Sequence, residues 1–262
     1  MASILKLIAV FFGKLPFFKG QDRIIRLFYP PNKFNDLNKG EHFVTDYYGL
    51  KYKGITSNYI DWGVYFKGGH EKGLVNYLKK NISKFDVFFD VGANSGTLSL
   101  PFIFEKNLKI ICFEPLNYSY KKLTENFKIN FSPEIHELNK IALSNKIEDS
   151  KIYFSKINEN PGFASIDNYY DLKDLSVENV KLNTLDNMYQ YKDKKIFFKI
   201  DVEGYEKKVI EGAKNILKNN NVLMYMESRD RKIIEMMKSL GFRPFFFKFN
   251  GNKLKFLENE FT

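Results

Sequence analysis

Two short runs hold the residue types that bind and activate small molecules. The first, Asp90-Val91-Gly92-Ala93-Asn94-Ser95-Gly96, lies between a strand-like run and a helix-like run. Glu114 follows twenty-two residues after Gly92, just beyond the apolar run Lys109–Phe113. Glycines at such a bend let the backbone approach a ligand, and an acid at the next strand's end accepts hydrogen bonds from both hydroxyls of a ribose. That pairing is how an open α/β sheet holds an adenosine-bearing cofactor. Gly92 and Gly96 are four apart, so the bend departs from the Gly-x-Gly-x-x-Gly of dinucleotide sites. The second run, Lys199-Ile200-Asp201-Val202-Glu203-Gly204-Tyr205-Glu206, closes a later strand. Asp201 and Glu203 share a direction if the strand continues and splay apart if the turn begins there. Lys199 precedes them on the same alternating face, and Glu227 ends the following strand. As plain structure these four form an ion-pair cluster. As chemistry, Asp201 is the leading general base or a cofactor-side carboxylate, and Glu203 orients the loop or the acceptor. Asp201 with Glu227 is the alternative, a pair for a hard divalent cation that would acidify a hydroxyl. His70, after Gly68-Gly69, is a further candidate base because imidazole titrates near neutral pH, although a glycine-flanked histidine is more often just exposed.

These groups need a scaffold that brings strand ends together. Asp86–Val91 is apolar apart from Asp86 and Asp90, as suits a strand buried on both faces. Thr97–Glu105 is the expected helix after it, with Pro101 tolerated only in a first turn. Lys109–Phe113 is the second strand, Asn117–Asn130 the second helix, and Ile135–Leu143 the third strand, which carries His136 as a structural residue. Lys195–Ile200 and Val222–Met226 are the fourth and fifth strands, separated by a helix over Tyr205–Leu217. Arg229–Leu240 is a helix capped by Gly241, and Arg243–Phe249 and Lys253–Leu257 flank Asn250-Gly251-Asn252 as a hairpin. Alternating strands and helices predict a parallel sheet with right-handed crossovers. Residues 1–80 are expected to be an extension or cap with its own helices and turns, punctuated by Pro30-Pro31-Asn32 and Gly68-Gly69, and 81–262 the ligand-binding domain. Within it, about 144–180 interrupts the alternation as an insertion over the acceptor side. Lys151–Ser155 and Val180–Leu182 are short strands there, Thr184–Met188 is a helical turn, and Asn160-Pro161-Gly162 is a turn with Phe163 and Ser165 as candidate acceptor contacts.

Composition narrows the partners. The chain has 262 residues, 44% hydrophobic and 27% charged, which suits a folded domain with a real core. Forty-one Lys and Arg against thirty-one Asp and Glu give +10, read first as lysines scattered over a solvated surface and otherwise as a field that attracts nucleic acid, an anionic membrane or a phosphorylated acceptor. No block of five basic residues occurs, so nucleic acid is not expected. Cys112 stands alone inside a strand, where it reads as a small buried hydrophobe, and a reducing cytoplasm is the expected compartment. Residues 4–12 are apolar apart from Lys6 and too short for the ~20 residues a bilayer span requires. Packing onto the domain or a partner is the favoured reading of this segment, and peripheral membrane contact the other.

The arrangement resembles the FkbM family of S-adenosylmethionine-dependent methyltransferases. The matching text is Phe89–Gly96, Phe113-Glu114-Pro115, Ile141-Ala142-Leu143-Ser144, Leu182–Asp186, Phe198–Glu206 and Val209–Ala213. The resemblance covers about residues 85–228, with Lys199–Gly204 its most specific part. It implies a Rossmann-like, seven-stranded methyltransferase sheet, mostly parallel, with a C-terminal antiparallel hairpin. It also implies S-adenosylmethionine as cofactor, held by Asp90, Gly92, Ala93, Asn94, Ser95, Gly96, Glu114 and Asp201, with Ala142 and Leu143 at the adenine. Lys199, Asp201, Glu203 and His70 would then serve catalysis. The implied reaction is O-methylation of a carbohydrate hydroxyl on a nucleotide-linked sugar or cell-surface polysaccharide unit. An RNA or nucleobase methyltransferase and a non-catalytic binding module of the same fold are the rival readings.

Overall fold

The computed structural model describes residues 2–15, 18–30, 40–155, 166, 175–228, 230–250 and 253–257. At its centre lies a five-stranded sheet of β3 (Val87–Val91), β4 (Lys109–Phe113), β5 (Glu137–Asn139), β9 (Lys195–Ile200) and β10 (Asn221–Met226). The spatial order is β10-β9-β3-β4-β5, and every neighbouring pair is parallel. The chain therefore runs outward from β3 through β4 to β5, then returns to the other side of β3 for β9 and β10. That reversal between β3 and β9 opens a crevice at the carboxyl ends of the strands.

Alternation along the strands sorts the core into two layers. Phe88, Ile110, Cys112 and Phe197 face one side, where they pack with Leu74, Val75 and Leu78 of α4 (Lys72–Lys79) and with Leu123 and Phe127 of α5 (Asn117–Ile129). Phe89, Ile111, Phe113 and Phe198 face the other. Their partners come from α7 (Glu206–Glu211), α8 (Lys214–Asn219) and α9 (Arg231–Ser239).

The N-terminal elements are α1 (Ala2–Lys14), α2 (Gln21–Phe28), the hairpin of β1 (His42–Tyr47) and β2 (Leu50–Ile55), and α3 (Tyr59–Lys67). The hairpin was not expected from the sequence. Its two-residue turn, Tyr48-Gly49, has φ of 57° and 86°, the left-handed pair that matches strand twist. Ala9, Ile25, Tyr29, Trp62 and Phe66 give α1–α3 a small core of their own. Asn58 caps α3 through its side chain, which accepts from the Ile60 and Asp61 amides.

Several expectations need correction. Thr97–Glu105 forms no α-helix, only a 3-10 turn over Leu100–Phe102. Pro101 sits too deep for the first turn of a helix starting at Thr97, where it lacks an N–H and its ring would crowd the carbonyl of residue 97. The run Ile135–Leu143 is not one strand. After β5 the chain leaves the main sheet, and β6 (Ala142–Leu143) pairs with β8 (Leu175–Asn183) instead. β8 also pairs antiparallel with β7 (Glu148–Ser155), making a separate three-stranded sheet. The helix expected over Tyr205–Leu217 breaks into α7 and α8 at Gly212-Ala213, and α6 (Leu185–Met188) packs beside the break. The sheet has five parallel strands, not seven strands, because the C-terminal hairpin of β11 (Phe246–Asn250) and β12 (Lys253–Leu257) pairs only with itself among the described residues. Pro31, Asn32, Asn160, Pro161, Gly162, Phe163, Ser165, Gly251 and Asn252 lie outside the described residues.

Candidate active site

A cleft of about 260 Å³ opens at the carboxyl edge of the sheet, where the order reverses. It gathers residues from four strand ends: Gly92, Ala93 and Asn94 after β3, Glu114 after β4, Asp201 and Glu203 after β9, and Glu227 after β10. Ala142, Leu143 and Lys199 line it too, as does His70. Asp90, Ser95 and Gly96 do not line the cleft.

Gly92 is dictated by crowding. Its φ is +74°, and a Cβ there would lie 1.9 Å from the Asp201 carbonyl oxygen, so the β3 turn and the β9 exit meet backbone to backbone. Gly96 answers a different need, since a Cβ would press on Leu123 of α5 at 2.7 Å. Ser95 is buried, its hydroxyl 2.7 Å from that of Tyr52.

Glu114 is buried and held by two backbone amides, Asn94 N at 2.9 Å and Leu116 N at 3.0 Å. Burial pushes its carboxyl up to about 7 against the pull of those amides. Each carboxylate oxygen keeps a further lone pair for a ligand hydroxyl. Beside it, Asn94 lines the cleft, and its Oδ1 is buried and unpartnered, an acceptor for which the described residues supply no donor. This satisfied acid and orphaned amide oxygen fit a nucleoside carrying hydroxyl donors.

Behind the glycine bend, Asp90 and Lys199 are register partners on adjacent strands. Lys199 donates to Gly92 O at 2.6 Å and stands 3.4 Å from Asp90 Oδ1 and 3.6 Å from Asp201 Oδ2. Burial alone would lower the lysine's pKa, but Asp90, Asp201 and Glu71 outweigh it and hold it above the ordinary lysine value. Lys199 thus stays charged, neutralises the acids and pins the bend.

Two of the acids sit differently. Asp201 is partly exposed and ion-paired to Lys199. Glu203 stands exposed at the rim with φ of 49°, and its partial desolvation with repulsion from Asp201, Glu227 and Glu206 raises it to about 7. His70 is brought to the cleft, but desolvation and the nearby Lys67 depress it to about 4, so it is neutral at physiological pH.

Sequence reasoning missed Glu71. It adopts a left-handed φ of 47° at the start of α4, lines the cleft and accepts from Tyr225 Oη at 3.1 Å. Burial raises it to about 7 although Lys199 opposes the shift. Tyr59 and Ile60 also reach the cleft from the N-terminal elements. The only hint in the sequence was the Gly68-Gly69-His70 bend just before Glu71. Among the described residues no three or more His, Cys, Asp or Glu group as a metal site, and no helix is long and apolar enough to cross a membrane.

No curated protein matches the chain. Two solved structures from Pyrococcus horikoshii resemble parts of it. One is the putative transferase PH0793, at 18% identity over 41% of this chain and 44% of that one, with a TM-score of 0.28. The other is TYW2 in complex with MeSAdo, at 22% identity over 40% of this chain and 39% of that one, with a TM-score of 0.29. The chain spans less than half the length of these solved structures. The Methyltransferase FkbM domain matches residues 90–244, more than half of the chain, and takes in both signature runs and all four strand ends of the cleft. The chain belongs to the FkbM methyltransferase domain family.

Proposed function

We propose that this protein is an S-adenosylmethionine-dependent O-methyltransferase whose acceptor is a carbohydrate hydroxyl, on a nucleotide-linked sugar or a cell-surface polysaccharide unit. The observation that carries the cofactor reading is the pairing of Glu114 and the unpartnered Asn94 Oδ1 at the glycine bend. The carbohydrate acceptor rests on the family resemblance together with a cleft walled by carboxylates, which suit hydroxyl donors.

Gly92, Ala93, Asn94 and Glu114 would hold the cofactor's nucleoside, with Ala142 and Leu143 against the base. The cofactor, when bound, supplies a methyl group on a positively charged sulfur. The chain must align an acceptor oxygen with that carbon and remove its proton, and alignment can contribute on the order of 7–11 kcal/mol. Asp201, tied to Lys199, is the cofactor-side carboxylate. Glu203 is the base, because a carboxyl near 7 at the open rim is matched to neutral pH and reachable by an incoming hydroxyl. His70, depressed to about 4, holds an accepted proton poorly and serves the wall of the site.

Calorimetric titration with S-adenosylmethionine tests the cofactor reading. Wild-type protein should bind, and Glu114→Ala should weaken binding at least about tenfold, the loss of one to two charge-assisted hydrogen bonds. Equal affinity would refute the ribose assignment. Mass spectrometry of nucleotide sugars incubated with methyl-labelled cofactor tests the acceptor, and a mass gain only on RNA would replace it.

A further inference from the structure

The N-terminal helix pair carries an apolar face that the fold does not bury. α1 packs inward through Ala9, Val10 and Phe12. Gly13 lies so close to α3 that a Cβ would come within 1.5 Å of the Phe66 carbonyl oxygen. On the opposite side Ile4, Leu7 and Phe11 are 59%, 67% and 61% exposed. Their spacing of three and four places them in one stripe along α1, and exposed Lys14 continues it. α2 repeats the pattern, with Leu27 78% exposed one turn after exposed Arg23.

The charge beside this face is one-sided. Residues 2–30 contain five basic side chains, Lys6, Lys14, Lys19, Arg23 and Arg26, against the single acid Asp22. Asp22 is paired with Arg26 and Lys67, and Lys6 is paired with Glu41. Among the described residues, the charges of this segment that no ion pair takes up are Lys14, Lys19 and Arg23, all exposed and all positive.

We propose that α1 and α2 dock the protein on an anionic phospholipid surface, with Ile4, Leu7, Phe11 and Leu27 entering the acyl boundary and Lys14, Lys19 and Arg23 meeting headgroup phosphates. Exposed apolar side chains with only cations added along the same segment are the pattern of a helix lying in the interface plane. A second copy suits the face less well, because a two-fold interface would bring two patches of the same positive charge together. α1 rests on α3, and α3 carries Tyr59 and Ile60 into the cleft, so docking would hold the cleft's N-terminal rim near the lipid surface.

Co-sedimentation of the full chain with vesicles tests this. Partition onto mixed phosphatidylglycerol–phosphatidylcholine vesicles should exceed that onto pure phosphatidylcholine at least about tenfold and fall as salt screens the headgroups. Leu7→Glu with Phe11→Glu should lower it at least about tenfold, since both inserted side chains become charged. Lys14→Glu should lower it about fivefold or more. An unchanged thermal unfolding midpoint checks that the double variant is folded, and if it is not, Lys14→Glu at its exposed helix end decides alone. No pelleting, equal pelleting onto both lipids, or variants that bind as wild type would overturn the proposal. So would a dimer in sedimentation velocity that the double variant dissolves, which would make the face a contact between copies.

Discussion

At the scale of single residues, the cleft is a set of acids held in different surroundings. Asp201 is neutralised by Lys199, whereas Glu203 and Glu114 are raised to about 7, the first by partial desolvation and neighbouring carboxylates, the second by burial. A base near 7 must lose its proton before it works. Turnover should therefore climb through about pH 7 to a plateau, and Glu203→Gln should remove that limb and cost about 10²–10⁴-fold in kcat while leaving cofactor affinity nearly intact. A pH–rate profile of the variant that keeps the wild-type limb would take Glu203 out of the role. Glu114 makes a separate statement about stability. Its folded pKa lies above the 4.5 of a free glutamate, so the folded state binds the proton more tightly, and stability present below pH 4.5 is lost as pH rises to about 7. The loss is on the order of 3 kcal/mol. Glu114→Gln should be less stable at pH 4.5, because an amide N–H₂ would face a backbone N–H, yet its stability should fall less steeply over that window in urea titrations. Parallel slopes for the two proteins would show that the carboxyl titrates normally.

At the scale of elements, the break between α7 and α8 shows how the second signature region is braced. A Cβ at Gly212 would come within 1.8 Å of the Ser144 carbonyl oxygen, so the helix must part where β6 runs into the following loop. The new N-terminus of α8 is then capped from outside, by Asp186 of α6, whose carboxylate accepts from Asn215 N at 2.8 Å and Ile216 N at 2.9 Å. Asp186→Ala should destabilise the protein by about 1–2 kcal/mol in urea unfolding, and Asp186→Asn by less, because one accepting oxygen survives. Equal costs for both would point to the charge and not the cap. The parallel strands were legible because burial on both faces leaves mostly apolar runs, as in Val87–Val91 and Lys195–Ile200, where Asp90, Lys195 and Lys199 are the exceptions. The α7–α8 break was not, since it depends on a carbonyl sixty-eight residues earlier. The β1–β2 hairpin escaped for a local reason, as its left-handed turn starts with Tyr48 where Asn or Asp is the usual signal. The strand-end acids could be named from their motifs, while Glu71 could not, because only tertiary packing of a motif-free segment carries it to the cleft.

At the scale of the whole molecule, the N-terminal elements are fastened to the α/β sheet through polar links and not only by apolar contact. Tyr47 donates to Thr97 O at 2.7 Å, and Asn126 of α5 and Asn130 just after it accept from Lys53 N and Lys51 N, each at 2.8 Å. Asp61 is the hub. Fully buried on α3, it accepts from Tyr52 Oη at 2.7 Å and Ile55 N at 2.8 Å, and it pairs with Lys122 of α5. The same α3 carries Tyr59 and Ile60 into the cleft, and the following turn delivers His70 and Glu71. Removing only the lysine's charge would leave a buried carboxylate without its counter-ion, a defect of about 3–5 kcal/mol when the burial is complete. Lys122 is partly open to solvent, and the two hydrogen bonds to Asp61 would remain, so Lys122→Met should cost less than that, about 2–3 kcal/mol. Because the lost link joins α3 to α5, protection of the α3 amides in hydrogen exchange should fall more than that of β3 and β4. Lys122→Met with Asp61→Asn should recover part of the stability, the buried charge now being gone. A single variant as stable as wild type, or a double variant with no recovery, would show that apolar packing alone holds the N-terminal elements in place.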